Sequence, residues 1–173
     1  MSDPDSGGDG TPKPGPIRLR PAQLIDELQR HAVDFVVIGG FSLAVHGYVR
    51  ATKDLDIMPD PDEANLARLA EALAELDAQV DIGGLDAAEL GIAPDAEGLA
   101  AGGNWVLRTR FGRLDVMQDV PGLRGYSQLR AGATEVNGAL YAGYDELISM
   151  KAASGREEDL RDIAALEAAR GAG

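Results

Sequence analysis

The chain has no cysteine. That excludes disulfides, zinc–thiolate sites and a cysteine nucleophile, and it leaves the compartment open, because secreted chains also do without the residue. No apolar run reaches the length of a membrane span. The segment Met1 to Pro16 lacks even the short apolar core of a signal peptide, being acidic and rich in Gly, Pro and Ser. It is expected to be a disordered tail, residues 1–16, on a protein placed by default in the cytoplasm. Positive charge is short as well: 16 Lys and Arg stand against 29 Asp and Glu, for a net charge of -13 and a pI near 4.4. Such a molecule repels polyanions, which disfavours broad, non-specific wrapping of nucleic acid. A local basic patch stays open in Arg108, Arg110, Arg113, Arg124 and Arg130; the alternative is a set of arginines solvating an exposed hairpin.

What is present suits one compact domain over residues 17–173, with 45% hydrophobic residues in a 173-residue chain. Leu24, Ile25, Leu28 and Ala32 recur at helical spacing after Pro21, predicting an amphipathic helix. Phe35-Val36-Val37-Ile38 is continuously apolar and predicts a buried strand, ended by Gly39-Gly40. One or two helical turns over Phe41 to His46 stop at Gly47, and Lys53 to Met58 forms a second strand. A helix is expected from Asp60-Pro61, with Asp60 as cap and Leu66, Leu69, Ala70 and Leu73 as its buried stripe. Asp77 to Gly103 is assigned only loosely. Trp105 to Arg110 and Arg113 to Gln118 predict a hairpin, Asn137-Gly138 turns a shorter one, and helices Asp145 to Ser154 and Glu157 to Arg170 meet at Gly155. The order implies an α/β (α+β) fold: a mixed sheet backed by helices, with C-terminal helices.

Asp54 and Asp56 are one residue apart on a predicted strand, so both carboxylates leave one face while Leu55 and Ile57 enter the core. Like charges this close are costly unless a cation offsets them, and hard oxygen donors favour Mg²⁺ or Mn²⁺. Asp115, on a later strand, is a third acid that a neighbouring position in the sheet would add. Gly39-Gly40 opens a helix after a strand, which lets backbone N–H groups approach phosphate oxygens without Cβ interference. Ser42 offers a hydroxyl there.

Together, Val37-Ile38-Gly39-Gly40-Phe41-Ser42 and Arg50-Ala51-Thr52-Lys53-Asp54-Leu55-Asp56-Ile57 resemble the first motif of the DNA-polymerase-β-like nucleotidyltransferase superfamily. The stretch from Leu147 to Ile163, with Lys151, Arg156, Asp159 and Asp162, resembles the C-terminal motif of its AbiEii/MenT-like branch, which contains toxins of toxin–antitoxin systems. The resemblance implies Mg²⁺-dependent transfer of a nucleotide from an NTP such as ATP to a hydroxyl acceptor. It implies that Asp54, Asp56 and Asp115 are the metal-binding and catalytic carboxylates. It further implies that Gly39, Gly40 and Ser42 hold the triphosphate, and that Lys151 contacts the nucleotide phosphates. Many members carry Ser directly after the first glycine, so with Gly40 there Ser42 is left either on phosphate or as a helix cap. For the partners it implies a tRNA acceptor and an antitoxin protein. A small-molecule or protein acceptor is the alternative the acidic charge and short chain keep open, as is a catalytically idle nucleotide-binding module.

Other polar residues carry two readings. Asp159 and Asp162 either orient Lys151 or Arg156 or form a purely structural ion-pair network. Arg50 and Thr52 contact the nucleotide or belong to a solvated loop. His46 reads as a surface or packed histidine, His31 as a helix-end residue and Trp105 as core. No long apolar seam is evident on the expected helices, so a monomer or weak dimer is expected.

Overall fold

The computed structural model describes residues 17–172; the expected tail, 1–16, lies outside them. The elements run α1 (Pro21–Arg30), β1 (Phe35–Ile38), α2 (Gly39–Val45), β2 (Asp54–Pro59), α3 (Glu63–Glu75), β3 (Gln79–Val80), α4 (Ala96–Ala100), β4 (Asn104–Thr109), β5 (Gly112–Met117), α5 (Tyr126–Gly132), β6 (Thr134–Val136), β7 (Ala139–Tyr141), α6 (Tyr144–Ser154) and α7 (Glu157–Gly171). The strands form one sheet in the order β3-β4-β5-β2-β1-β7-β6. β1 pairs antiparallel with β2 and parallel with β7, and β2 pairs parallel with β5, so the sheet is mixed as expected.

Each sheet face has its own core. Phe35, Val37, Leu55, Ile57, Leu114 and Val116 pack with Leu24 and Leu28 of α1, Leu66, Leu69 and Leu73 of α3 and Leu99 of α4. Val36, Ile38 and Met58 pack on the other side with Leu43, Leu129, Leu147, Met150 and Leu166. The period-two alternation of strand side chains produces this division, and it explains why β1 is apolar at all four positions. Complete burial of a Leu or Ile contributes about 1.5–3 kcal/mol, so both layers contribute.

Several boundaries differ from the sequence expectation. α1 stops at Arg30, and Ala32 leaves the helix with φ +52. α3 is capped by Asp62, not Asp60: the Asp62 carboxylate accepts from Ala64 N and Asn65 N at 3.0 and 3.2 Å, while Asp60 accepts from Asp62 N. Pro61 thus sits ahead of the cap. The loosely assigned Asp77 to Gly103 segment contains β3 and α4, and α5 was not anticipated; its seven residues bury only Tyr126 and Leu129, too little periodicity to mark a helix. The Asn137-Gly138 turn and the left-handed Gly155 cap between α6 and α7 are as expected.

Candidate active site

The site is built on the β2/β5 pair, whose register sets Asp54 opposite Arg113, Leu55 opposite Leu114, Asp56 opposite Asp115 and Ile57 opposite Val116. Leu55, Ile57, Leu114 and Val116 are all fully buried on one face. The alternation then places Asp54, Asp56, Arg113 and Asp115 together on the other face, as a square of three carboxylates and one guanidinium. Next to it, β1 ends with Ile38 opposite Asp56, which brings the start of α2 directly against that carboxylate.

Gly39 is required there on two grounds. Its φ is +69, and a Cβ would collide with Asp56 Oδ2. At Gly40 a Cβ would meet Thr52 Cβ and Oγ1 at 3.0 Å, and Thr52 Oγ1 in turn donates to the Asp54 carbonyl and carboxylate at 3.2 and 3.3 Å. The two glycines therefore let the backbone lie close to the acidic strand and the loop ahead of it. Ser42 does not share this surface. It is wholly buried, its hydroxyl donating to Val37 O at 2.6 Å and accepting from Ala142 N at 3.3 Å. The cap role does not fit: one helical turn past Gly39, the side chain points toward β1 and the β7 end, away from the helix N-terminus and from the surface that Gly39 and Gly40 share with the acidic strand.

These residues line one face of a pocket of about 590 Å³. Gly39, Gly40, Asp54, Asp56, Asp115 and Lys151 all border it, and Arg50, Lys53, Arg113 and Arg156 add positive charge to its walls. Met117, Val120, Pro121, Leu147 and Met150 form an apolar side.

The acids are not electrostatically alike. Burial, and then the charges of Asp54 and Asp115, push the Asp56 carboxyl up to about 7, against the opposing pull of Arg113 and Lys151. Asp115 has a partner of its own: Arg113 Nε and Nη2 donate to its two oxygens at 2.8 and 2.9 Å. Arg113 Nε also lies 3.7 Å from Asp54 Oδ2. The hydrogen bond to Asp115 holds the guanidinium firmly in its charged form. Sequence reasoning placed Arg113 in a surface patch; the signal that it belongs here was its i,i+2 spacing from Asp115 on one strand.

Lys151 is buried at the α6/α7 junction, with Nζ 2.8 Å from Asp159 Oδ1 and 2.7 Å from Asp162 Oδ2. Asp159 also receives Arg156 Nε at 2.7 Å, and Asp162 receives Arg50 Nη2 at 3.2 Å. Burial alone would raise the Asp159 carboxyl; hydrogen bonds from Arg156, Lys151 and Ser154, with the Lys151 charge, hold it well below the usual range. Asp159 and Asp162 thus pair with Lys151, an arrangement that both expected readings share, and Arg50 is tied to this network through Asp162 while bordering the pocket. His46 is packed, Nε2 lying 2.8 Å from Ala142 O. His31 follows α1, as expected. Within the arginine patch, Arg108 and Arg113 stand opposite each other across β4 and β5, and each of the paired members has its own carboxylate: Arg108 faces Asp81, Arg110 faces Glu27, Arg113 faces Asp115 in the pocket, and Arg130 faces Asp34.

Three hard carboxylates on one face, one of them with its pKa raised by burial and by the other two, suit a hard divalent cation, whose charge offsets that repulsion. The set is not closed. Among the described residues, the side chains whose ligand atoms all lie within 4.8 Å of one another are Glu27, His31 and Glu75, where Arg30 already bridges both glutamates. The three aspartates stand wider apart, with Arg113 drawn onto Asp115. Among the described residues no helix is long and apolar enough to cross a membrane.

No family model matches the sequence, and no curated protein matches it. Solved structures do resemble it. The lincosamide antibiotic adenylyltransferase LnuA, in its lincomycin-bound form, superposes with a TM-score of 0.54 at 13% identity, over 87% of this chain and 98% of that one. ANT(2″)-Ia, in complex with adenylyl-2″-tobramycin, does so with a TM-score of 0.51 at 11% identity, over 87% and 92%. At such identities the likeness speaks to architecture, and with the mixed seven-stranded sheet and its helices it establishes that this chain has a nucleotidyltransferase-like fold.

Proposed function

We propose that the protein is a nucleotidyltransferase that moves NMP from an NTP to a hydroxyl acceptor. The observation that carries this reading is the juxtaposition, in one pocket, of Asp54, Asp56 and Asp115 with the glycine-lined turn and a wall of cationic side chains. In the reaction the acceptor oxygen bonds to the α-phosphorus, the bond to the bridging oxygen breaks, and pyrophosphate leaves. The acceptor hydroxyl gives up its proton to a carboxylate of this set.

Asp54, Asp56 and Asp115 would hold Mg²⁺ or Mn²⁺, which when bound lowers the pKa of a hydroxyl and offsets phosphate charge. Gly39 and Gly40 offer the triphosphate a surface without side chains. Lys151, fixed by Asp159 and Asp162, faces the same space with its charge. Pre-orientation of this kind costs no reorganisation when charge moves onto the leaving group. The apolar side, from Met117 to Met150, suits the flat face of a base.

For the acceptor, the net charge of -13 and the pairing of Arg108, Arg110, Arg113 and Arg130 with carboxylates favour a small polyhydroxylated molecule over tRNA. An acidic surface attracts a cationic acceptor. The structural likeness to antibiotic adenylyltransferases agrees with that choice. The test is incubation with Mg²⁺, each α-labelled NTP, and separate pools of aminoglycosides and lincosamides, tRNA, and protein, beside an Asp56→Asn control. Label is expected on the small-molecule pool and absent in the control. Label on tRNA alone would favour a toxin of the AbiEii/MenT kind instead, and no label in any pool would reject the enzyme reading for these acceptors.

A further inference from the structure

Arg113 is the one cation within the carboxylate square, and it is held differently from its partners. Its fork closes on both oxygens of Asp115 and its Nε also faces Asp54. Yet the Arg113 side chain is 44% exposed, while that of Asp115 is 10% exposed. The guanidinium can therefore swing out into the pocket with little loss of packing, whereas the carboxylate stays where β5 puts it. The neighbouring Asp56 has no such cation on its oxygens, and it is the acid that burial and the other two carboxylates penalise.

The geometry points to Arg113 as an exchangeable internal counter-ion: it holds Asp115 and Asp54 until a divalent cation takes its place, and then turns its freed guanidinium to the nucleotide's triphosphate. The inference rests on the reading of the square as a metal-binding site for nucleotidyl transfer. Its chemistry is a swap of partners. A guanidinium fork matches a carboxylate and a phosphate equally well, being planar and bidentate toward either. Metal and triphosphate would then arrive as a cooperative pair, because each takes one member of the Arg113–Asp115 ion pair and leaves neither charge unpaired in the pocket. Arg113 is in this sense a residue that serves two anions in turn, the carboxylates first and the triphosphate after. The ordinary alternative is a permanent structural salt bridge, in which Asp115 never ligates a metal.

Binding of Mn²⁺ alone to the metal-free chain of residues 1–173 separates the two, read from free Mn²⁺ by electron paramagnetic resonance and from the shift in melting temperature. In Arg113→Gln the half-saturating Mn²⁺ concentration should fall at least tenfold relative to wild type, and the metal-free protein should melt lower. Arg113→Lys keeps the charge without the fork and should lie between them; it also serves if Arg113→Gln does not fold. A non-hydrolysable NTP analogue should then tighten Mn²⁺ binding more in wild type than in Arg113→Gln. Unchanged or weaker Mn²⁺ binding in both variants overturns the proposal. If the variants match wild type in Mn²⁺ binding while wild type still transfers label, only the role of Arg113 falls. If wild type binds no Mn²⁺ even with the analogue present, the proposed function falls with it.

Discussion

Replacing Asp56 with Asn should stabilise the metal-free protein, and the pH profile of that gain follows from the site. Asp56 is half-buried, and burial with the charges of Asp54 and Asp115 raises its carboxyl from 3.8 to about 7 in the fold. A carboxyl with a raised pKa binds its proton more tightly when folded, so its ionised form works against folding. Below pH 4 it is protonated in both states and imposes no penalty. Between pH 4 and 7 the unfolded chain ionises first, and the penalty grows by about 1.4 kcal/mol for each pH unit. Above pH 7 it levels off at about 4 kcal/mol. Asn is close in size and carries no charge, so it removes the penalty while keeping the contact with Gly39. Urea unfolding in EDTA should show Asp56→Asn and wild type equal near pH 4 and the variant more stable by a few kcal/mol at pH 8. For a domain of this size that corresponds to roughly 10 °C in melting temperature. Saturating Mg²⁺ should reverse the order, since only wild type retains the ligand. A stability difference that does not vary with pH, or a variant less stable than wild type at pH 8 in EDTA, would refute the electrostatic account of the square.

Gly39→Ala should cost about 2–4 kcal/mol, combining a left-handed φ of +69 with overpacking against Asp56 Oδ2, and should abolish transfer; urea denaturation and a label-transfer assay read the two effects. Lys151→Met leaves Asp159 and Asp162 short of their shared cation in a buried setting, so a loss of about 3 kcal/mol or more is expected by chemical denaturation, together with loss of transfer. Ser42→Ala should cost about 1–2 kcal/mol through the lost bonds to Val37 and Ala142 while leaving the KM for NTP unchanged; a raised KM with unchanged stability would restore the phosphate role.

The acidic face was legible in the sequence because strand periodicity is rigid. An Asp-x-Asp in a strand with Leu55 and Ile57 between and after can only present both acids on the face away from those residues, and the structure has that arrangement. The strand-ending glycines were legible too, since few residues other than glycine accept the backbone Gly39 adopts. Other features depended on contacts that local sequence does not carry. Ser42 follows the glycine turn at a spacing suited to phosphate, but the turn of α2 directs its hydroxyl at β1. Arg113 has the composition of a surface arginine until the parallel β2/β5 register sets it opposite Asp54. The pairing of Lys151 with Asp159 and Asp162 was anticipated in part, because both acids share a face of α7; the tie from Arg50 to Asp162 spans 112 positions and no local pattern marks it. α5 left little signal, as most of its seven residues face solvent or are only half-buried.

In the proposed reaction the α-phosphoryl group moves together with its nucleoside. Parallel reactions with α-labelled and γ-labelled NTP, Mg²⁺ and the acceptor pool test it most directly. The α-label should become fixed to the acceptor and the γ-label should appear only in pyrophosphate, with both signals lost in Asp56→Asn. Label from the γ position on the acceptor, or transfer that survives Asp56→Asn, would contradict it.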